Sequence, residues 1–442
     1  MALNIDESLM WDDIRSVIEG DSSPSAVYEV ILHTEDEDID IDKLVSIDII
    51  RDYVSAYSDQ VVAKVLVPLG THVHKIKPYV SNLEATIVIT KGDEVSEVRY
   101  KAILPEDQEN SGDDDTLLNY LEEDLNHIDI VLLNLQLVLL QVEPLKLPRV
   151  RGVFKGLTRE ALLNKTLLGK ANTYSIDGKP PIDGIKMAPP NNTTTIVQTL
   201  IPTDTPLLKF PRTIQEQHGG VYAGGIGSYV QAYKGTVDWY LYPPYDPSNP
   251  VTTDESVVVL VLDTTTVSEF PVTYKTEGNV FTILAGASEL NGSELEPRMS
   301  VLTEGYQLND ANAVINNPLT VSPTSLTSTR DKISQRVLHR EHVDGLNPSA
   351  ISPYESTVNY YHRASQLAQN TGYRLDLVWY NSTPGHLHPG MSVSIYTEAN
   401  GTVVIRQASV LFNHTLYALS GGMGNHLYET VTYISVFIRH AT

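Results

Sequence analysis

The chain of 442 residues contains no cysteine, and this absence excludes several kinds of chemistry. Disulfides, cysteine-ligated zinc, iron–sulfur clusters and a thiol nucleophile all require cysteine. Basic residues are also few, since 31 Lys and Arg stand against 55 Asp and Glu, a formal net charge of −24. Because affinity for nucleic acid comes largely from counterions released around Lys and Arg, this composition disfavours a nucleic-acid-binding protein.

Long hydrophobic runs are absent as well. The longest apolar stretch, residues 128–142, contains Asp129, Asn134, Gln136 and Gln141, and is too short and too polar to cross a bilayer. The first eleven residues have no basic segment followed by an apolar run, so we expect no signal peptide and synthesis in the cytoplasm. The sequence predicts no membrane segment.

The negative charge is concentrated in the first third of the chain. Residues 1–130 hold 30 acidic and 9 basic residues, a net charge of −21. The remaining residues hold 25 acidic and 22 basic ones, a net charge of −3. Such a surface either keeps the protein soluble or repels a polyanion that moves past it, and the sequence leaves both interpretations open.

No motif indicates catalysis or a bound cofactor. The glycine cluster at 219–227 lacks the Lys-Ser/Thr pair of a phosphate-binding loop and the strand of a dinucleotide-binding one. His72 with His74, and His386 with His388, have a spacing that metal sites use on strands, but each pair lies beside a turn. There is no Gly-x-Ser-x-Gly motif, and the acidic residues cluster in loops. We predict no catalytic residue, no metal, no cofactor and no enzymatic activity.

Apolar and β-branched runs bounded by turn residues predict a mainly β (α+β) fold, with two β-barrel-like tube domains and mixed α/β insertions. The predicted strands are 26–33, 60–68, 83–90, 95–104, 256–262, 280–284, 373–380, 391–396, 402–408 and 431–439. Residues 83–90 and 95–104 are predicted to form a hairpin. Residues 128–142 fit a buried helix or a strand, and the flanking Pro144 favours the strand.

The other segments are predicted to be helices and loops. Met10, Ile14, Val17 and Ile18 have helical spacing, and Thr158 can cap a helix through Leu168. Further helices are predicted at 211–217 and 355–369, acidic loops at 35–42 and 106–115, and a long surface connection at 171–206. The predicted domains are an N-terminal helical arm (1–24), a first, acidic β-barrel tube domain (25–150), a bridging lobe with a tyrosine-rich hairpin (151–250), a second β-barrel tube domain (251–290 plus 371–442) and a helical insertion (291–370).

Tyrosine dominates the aromatic residues, with 24 Tyr against 6 Phe and 3 Trp. Seven Tyr and Trp side chains lie between residues 222 and 245, around two short predicted strands. They fit either a half-buried hairpin or a protein–protein contact, because Tyr and Trp are common in interface hot spots. The candidate interface residues are Tyr222, Tyr229, Trp239, Tyr240 and Tyr242.

Segments spread in order along the chain resemble a known family. They are Val-Pro-Leu-Gly at 67–70, Pro-Tyr-Val-Ser-Asn-Leu at 78–83, Gly-Val-Phe-Lys-Gly-Leu-Thr at 152–158, Pro-Arg-Thr-Ile-Gln at 211–215, Gly-Val-Tyr-Ala-Gly-Gly-Ile-Gly-Ser-Tyr-Val-Gln at 220–231, Trp-Tyr-Leu-Tyr-Pro at 239–243 and Leu-His-Pro-Gly-Met at 387–391. Together they cover less than a fifth of the chain. They are similar to the baseplate hub proteins at the centre of contractile bacteriophage tails.

The resemblance implies a structural virion protein of the tail baseplate. In that family three chains form a ring in which each chain contributes two barrels, so six barrels match the sixfold tail tube. The implied partners are two further copies of the chain, a tail tube or tube-initiator protein on one side and a central spike protein on the other, with wedge or tape-measure proteins as further neighbours.

The resemblance also gives the negative charge a role, since a lumen lined by carboxylates lets DNA pass without specific binding. The candidate lumen residues are Glu35, Asp36, Glu37, Asp38, Asp113, Asp114 and Asp115. Two alternatives stay open, namely another tail protein for receptor binding or fibre attachment, and an enzyme that acts on polysaccharide.

Overall fold

A computed structural model describes residues 3–5, 7–19, 27–41, 43–91, 94–104, 130–287, 361, 364–365, 368–369, 372–383, 385–399, 402–419 and 428–439. The strands of the first part are β1 (Leu3–Ile5), β2 (Val27–His33), β3 (Asp38–Ile41), β4 (Lys43–Asp52), β5 (Gln60–Pro68), β6 (Glu84–Lys91), β7 (Glu94–Ile103) and β8 (Ile130–Leu139). Those of the middle are β9 (Arg149–Phe154), β10 (Gly184–Met187), β11 (Thr199–Pro206), β12 (Gly227–Tyr233) and β13 (Thr236–Tyr242). The last are β14 (Ser256–Leu262), β15 (Tyr274–Glu277), β16 (Val280–Ala287), β17 (Gly372–Tyr380), β18 (Ser392–Ala399), β19 (Thr402–Leu419) and β20 (Tyr428–Arg439).

The longer helices span Glu7–Ile18, Arg159–Ala171 and Phe210–Gln217, and a shorter one spans Thr264–Ser268. Brief helical segments cover Leu69–Thr71, His72–Ile76, Lys77–Asn82, Leu140–Val142, Glu143–Lys146 and Leu207–Lys209. None of the helices in the described part of the chain is long and apolar enough to cross a membrane.

Six strands of the C-terminal part form a closed ring, here called the second barrel. The order is β18, β14, β16, β17, β20 and β19, and β19 pairs back onto β18. Strand β14 runs parallel to both of its neighbours, and the other pairs of the ring are antiparallel. The helix Glu7–Ile18 covers this barrel by packing Met10, Ile14 and Val17 in one buried cluster with Leu260 and Leu284.

Strands from the first third of the chain form a second barrel-like sheet, here called the first barrel. Its order is β4, β5, β8, β7, β6, β2 and β3, with antiparallel pairing throughout. Val61, Ala63, Val65 and Val67 of β5 are buried at every second position, as expected for a strand with one face in a core. The sheet curls so that β2 and β3 come back beside β4 and β5.

Strand β19 belongs to both barrels and joins them into one sheet of 15 strands. Its first part pairs with β18, and its second part pairs with β4 from Phe412 opposite Asp52 to Ala418 opposite Ser46. The pairing of β19 with β20 shifts register between Val410 and Phe412, where the strand passes from one barrel to the other. A bulge at this position allows one long strand to change direction without losing its neighbours.

The middle of the chain packs against the first barrel as a smaller lobe. It contains the pair β9–β11, the sheet β10–β13–β12 and the helices Arg159–Ala171 and Phe210–Gln217. The Thr158 side chain accepts a hydrogen bond from the Ala161 amide at 3.2 Å and so caps the helix that follows.

The mainly β fold class is confirmed, as are the hairpin β6–β7, the helix over 7–18, the strand within 128–142 and the helix capped by Thr158. The domain boundaries stay a prediction. Of the predicted helix 355–369, residues 361, 364–365 and 368–369 are described, and they are helical. The predicted acidic loop 106–115 and most of the insertion 291–370 lie outside the described residues.

Two predictions about loops are wrong, and four further strands were not predicted. Residues 38–41 of the predicted acidic loop form β3, because Ile39 is buried and β2 offers a free edge. The predicted surface connection 171–206 contains β10 and β11 and buries Ile182, Asn192 and Ile201. The strands that were not predicted are β1, β4, β9 and β15.

Candidate functional site

The loop between β4 and β5, residues 53–59, is where the two barrels and the middle lobe meet. The Tyr53 amide donates to the Leu411 carbonyl of β19 at 3.0 Å. The Val230 amide of β12 donates to the Tyr57 carbonyl at 2.8 Å, and the Arg212 guanidinium donates to the Val54 carbonyl at 2.9 Å. We call this loop and the side chains that hold it the junction.

A buried ion pair lies at the centre of the junction. Arg51 Nε lies 3.1 Å from Asp59 Oδ2, and the two side chains are only 8% and 3% exposed. The Tyr229 hydroxyl donates to the other oxygen of Asp59 at 2.9 Å. Burial alone would lower the pKa of Arg51, but the Asp59 carboxylate raises it above its ordinary value, so the guanidinium stays charged.

The Tyr229 hydroxyl stays protonated and can therefore donate this hydrogen bond. Burial first, and then the Asp59 carboxylate, raise the pKa of Tyr229 well above its ordinary value. Its ring stands edge-on to the ring of Tyr53, with centroids 4.9 Å apart. The ion pair therefore connects strand β4 to the tyrosine-rich hairpin β12–β13 without contact with solvent.

Neutral polar side chains extend the junction to the second barrel. The Tyr53 hydroxyl donates to the Leu387 carbonyl at 3.2 Å and accepts from Asn413 Nδ2 of β19 at 3.0 Å. Gln231 Nε2 of β12 donates to the same Leu387 carbonyl at 2.9 Å. Each of these groups is buried, so losing one partner would leave another group unsatisfied.

The five candidate interface residues all lie inside the chain, which corrects the prediction that they contact another protein. Tyr222, Tyr229, Trp239, Tyr240 and Tyr242 are buried, so they have no surface to offer a partner. Tyr222 donates from its hydroxyl to the carbonyl of residue 188 at 2.8 Å, and Tyr242 donates to the carbonyl of residue 53. Trp239 donates to a serine hydroxyl of β12 at 2.9 Å. The hairpin is confirmed, and its aromatic side chains form the core of the lobe.

Each carboxylate of the acidic segment 35–38 forms a hydrogen bond or an ion pair with another part of the chain. Asn82 Nδ2 donates to Glu35 at 2.6 Å, and the Tyr79 hydroxyl donates to Asp36. Lys75 Nζ lies 2.9 Å from Glu37, and His33 Nδ1 lies 2.6 Å from Asp38. Thus residues 75–82 and β2 fix these four exposed candidate lumen residues in place. Asp113, Asp114 and Asp115 lie outside the described residues.

Of the two histidine pairs, His72 and His388 are buried and His386 packs on an aromatic ring, whereas His74 is exposed. His72 and His74 lie in a helical segment, where residues two apart point in different directions. His386 stacks on Phe281 with centroids 4.4 Å apart, and buried His388 stacks on Tyr240 at 5.2 Å. Within the described residues, no group of three or more His, Asp or Glu side chains could hold a metal ion.

Sequence reasoning missed Arg51, Asp59 and Asn413, the charged and polar residues of the junction. A signal existed in the pattern of β4, where Arg51 follows Ile47 and Ile49 at every second position, which places it on the buried side of the strand. A charged residue at such a position needs a buried partner. The partner Asp59 lies only eight residues from Arg51, but the contribution of Tyr229 could not be derived from the sequence, since Tyr229 lies 170 residues from Asp59.

No protein-family model matches the chain, and no curated protein matches it. Among solved structures, the chain is similar to a 43 kDa tail protein of prophage MuSo2 from Shewanella oneidensis, with 10% identity and a TM-score of 0.43, over 92% of this chain and 96% of that one. It is also similar to an Escherichia coli component of the type VI secretion system, with 10% identity and a TM-score of 0.43, over 93% of this chain and 77% of that one. That protein is described as structurally similar to the T4 bacteriophage tail proteins gp27 and gp5.

A third similar structure is a PdpA–VgrG complex from Francisella, with 8% identity and a TM-score of 0.38, over 98% of this chain and 61% of that one. These structures are named as a prophage tail protein, as a component of the type VI secretion system and as a PdpA–VgrG complex.

Proposed function

We propose that the chain is a structural subunit of a phage tail baseplate, and that three copies form a hub ring that joins a sixfold tail tube to a threefold central spike. The observation that carries the proposal is the pair of barrels built around the shared strand β19. Three chains with two barrels each supply six barrels, so a trimer can match a sixfold tube on one side and a threefold partner on the other.

The junction supports this role because a hub must keep its two barrels in a fixed relation. Arg51, Asp59 and Tyr229 hold the lobe against the first barrel, and Tyr53 with Asn413 holds the loop against β19. Buried charges and hydroxyls lose their partners if the barrels rotate, which makes other arrangements costly. Rigid spacing of the barrels is what a ring with many neighbours requires.

In this proposal the first third of the chain lines a channel for DNA. The exposed loop Glu35–Asp38 is held in one conformation by Lys75, Tyr79 and Asn82, so its carboxylates keep a fixed position. A wall with net negative charge repels phosphate and lets DNA slide past. Imaging of the assembled ring tests this role, and a loop on the outer surface of the ring would contradict it.

The test of the trimer is the molar mass of the purified chain in solution, measured by light scattering near physiological salt. The proposal expects three times the chain mass of 48.9 kDa. A mass that stays at one chain at high concentration would contradict it. The protein is placed in the virion after synthesis in the host cytoplasm, and it acts by assembly rather than by catalysis.

A further inference from the structure

Two exposed sheet faces carry opposite charge and belong to different parts of the chain. The first, here called the basic face, lies on β9 and the residue after it. Arg149, Arg151, Val153 and Lys155 are exposed at every second position, so their side chains share one side of the strand. Leu200 of β11 lies opposite Val153, and these two apolar side chains are 64% and 52% exposed.

The second face, here called the acidic face, lies on the outside of the first barrel. Glu29 of β2 and Glu97 of β7 are both paired with Val88 of β6, so the two glutamates stand on either side of it. Directly opposite residues in antiparallel strands project to the same side of a sheet. In the neighbouring row Val27 and Val95 flank Thr90, and they are 43% and 60% exposed.

The charges on these faces find no opposite charge within the described part of the chain. Arg149 donates to the carbonyl of residue 146 at 3.1 Å, but neither it nor Arg151 nor Lys155 forms an ion pair with a described carboxylate. Glu29 and Glu97 likewise form no ion pair with a described basic residue, and Arg99, which follows Glu97 on the same side of β7, is already paired with Glu84 and Asp177. Exposed apolar side chains beside unpaired charges are typical of a surface that binds a partner.

We propose that the basic face of one copy docks on the acidic face of a second copy. The inference rests on the proposed function, because it names the contact that closes the ring. The two faces match in sign, and each pairs its charges with exposed valine or leucine. Since the faces differ, the contact is heterologous, and a heterologous contact forms a closed ring when its rotation fits a whole number of copies.

Charge reversal tests the contact. One variant carries Arg149→Glu with Arg151→Glu, a second carries Glu29→Lys with Glu97→Lys, and a third combines all four changes. The matched control is Lys165→Glu with Lys170→Glu, which reverses two exposed lysines of the helix Arg159–Ala171. Molar mass is measured by light scattering over a range of concentrations, and circular dichroism with thermal unfolding confirms that each variant is folded.

The inference predicts that each two-residue reversal raises the concentration needed for half assembly by at least ~10-fold, since like charges then face each other. The combined variant assembles again, and the control assembles like the unmodified chain. If the unmodified chain is a trimer and both reversals remain equally tight trimers, the docking inference is wrong and the hub proposal stands. Loss of assembly in the combined variant also overturns the pairing of the two faces. An unmodified chain that stays monomeric overturns the hub proposal and this contact together.

Discussion

Removal of the Arg51 guanidinium is the most informative perturbation of the junction. Arg51→Met keeps an unbranched side chain but leaves Asp59, which is 3% exposed, with Tyr229 as its hydrogen-bond donor and no cation. Breaking one side of a buried ion pair costs about 3–5 kcal/mol, because the remaining charge is desolvated without compensation. We expect Arg51→Met to lower the free energy of unfolding by that amount.

The assay is urea unfolding followed by tryptophan fluorescence, with two further variants for comparison. Arg374→Met breaks an ion pair whose side chains are more than half exposed, and exposed pairs contribute about 0–1 kcal/mol. The double variant Arg51→Met with Asp59→Leu removes both charges and should cost less than Arg51→Met alone. If Arg51→Met costs no more than Arg374→Met, the junction does not hold the barrels together as described.

Three further predictions concern the hairpin and its surroundings. Trp239→Ala should lower the free energy of unfolding by about 3–5 kcal/mol because the ring is buried in the lobe core, and a variant that unfolds normally but assembles poorly would disprove this placement. Gly227→Ala should destabilise the chain, since the added methyl carbon would lie 2.3 Å from the Tyr242 ring. The control Gly169→Ala, whose methyl carbon meets nothing within 4 Å, should be neutral or stabilising because Gly169 lies in a helix. Equal melting temperatures for the two variants would refute the contact with Tyr242. Burial lowers the pKa of His388, so the unfolded chain takes up more protons below its ordinary value of 6.5, and stability should fall from pH 7.5 to pH 5.5 in urea titrations. A His388→Phe variant should lose less stability over this pH range. An equal loss in the variant would contradict the attribution of the pH dependence to His388.

Strands with regular alternation and clear turn boundaries were predictable from the sequence. The buried positions of β5 alternate without interruption, and the predicted bounds 60–68 are those of the structure. The Thr158 cap was likewise predictable, because capping depends on a side chain and an amide only three residues apart.

Strands with irregular alternation were harder to predict. In β4 the pairing with β5 shifts register between Leu44 and Ser46, so the buried positions change phase along the strand. The predicted strand 402–408 is the start of β19, which continues to Leu419 past its own register shift at Val410. The acidic residues of β3 favoured the prediction of a loop, although a single buried residue, Ile39, is enough to fix this short strand beside β2.

Whether the tyrosine-rich segment lies in the core or on the surface could not be derived from the sequence. Its composition fits a surface contact as well as a core, and the deciding contacts are remote in sequence. Tyr242 lies 189 residues from Tyr53, and Gln231 lies 156 residues from Leu387. Such contacts follow from the arrangement of both barrels around β19, which local patterns do not contain.

Electron microscopy of the purified chain tests most directly whether the chain forms a ring. We expect particles with threefold symmetry in which six barrels surround an open centre, built from three copies of the double barrel around β19. Particles that contain a single chain, or assemblies without a central opening, would contradict it.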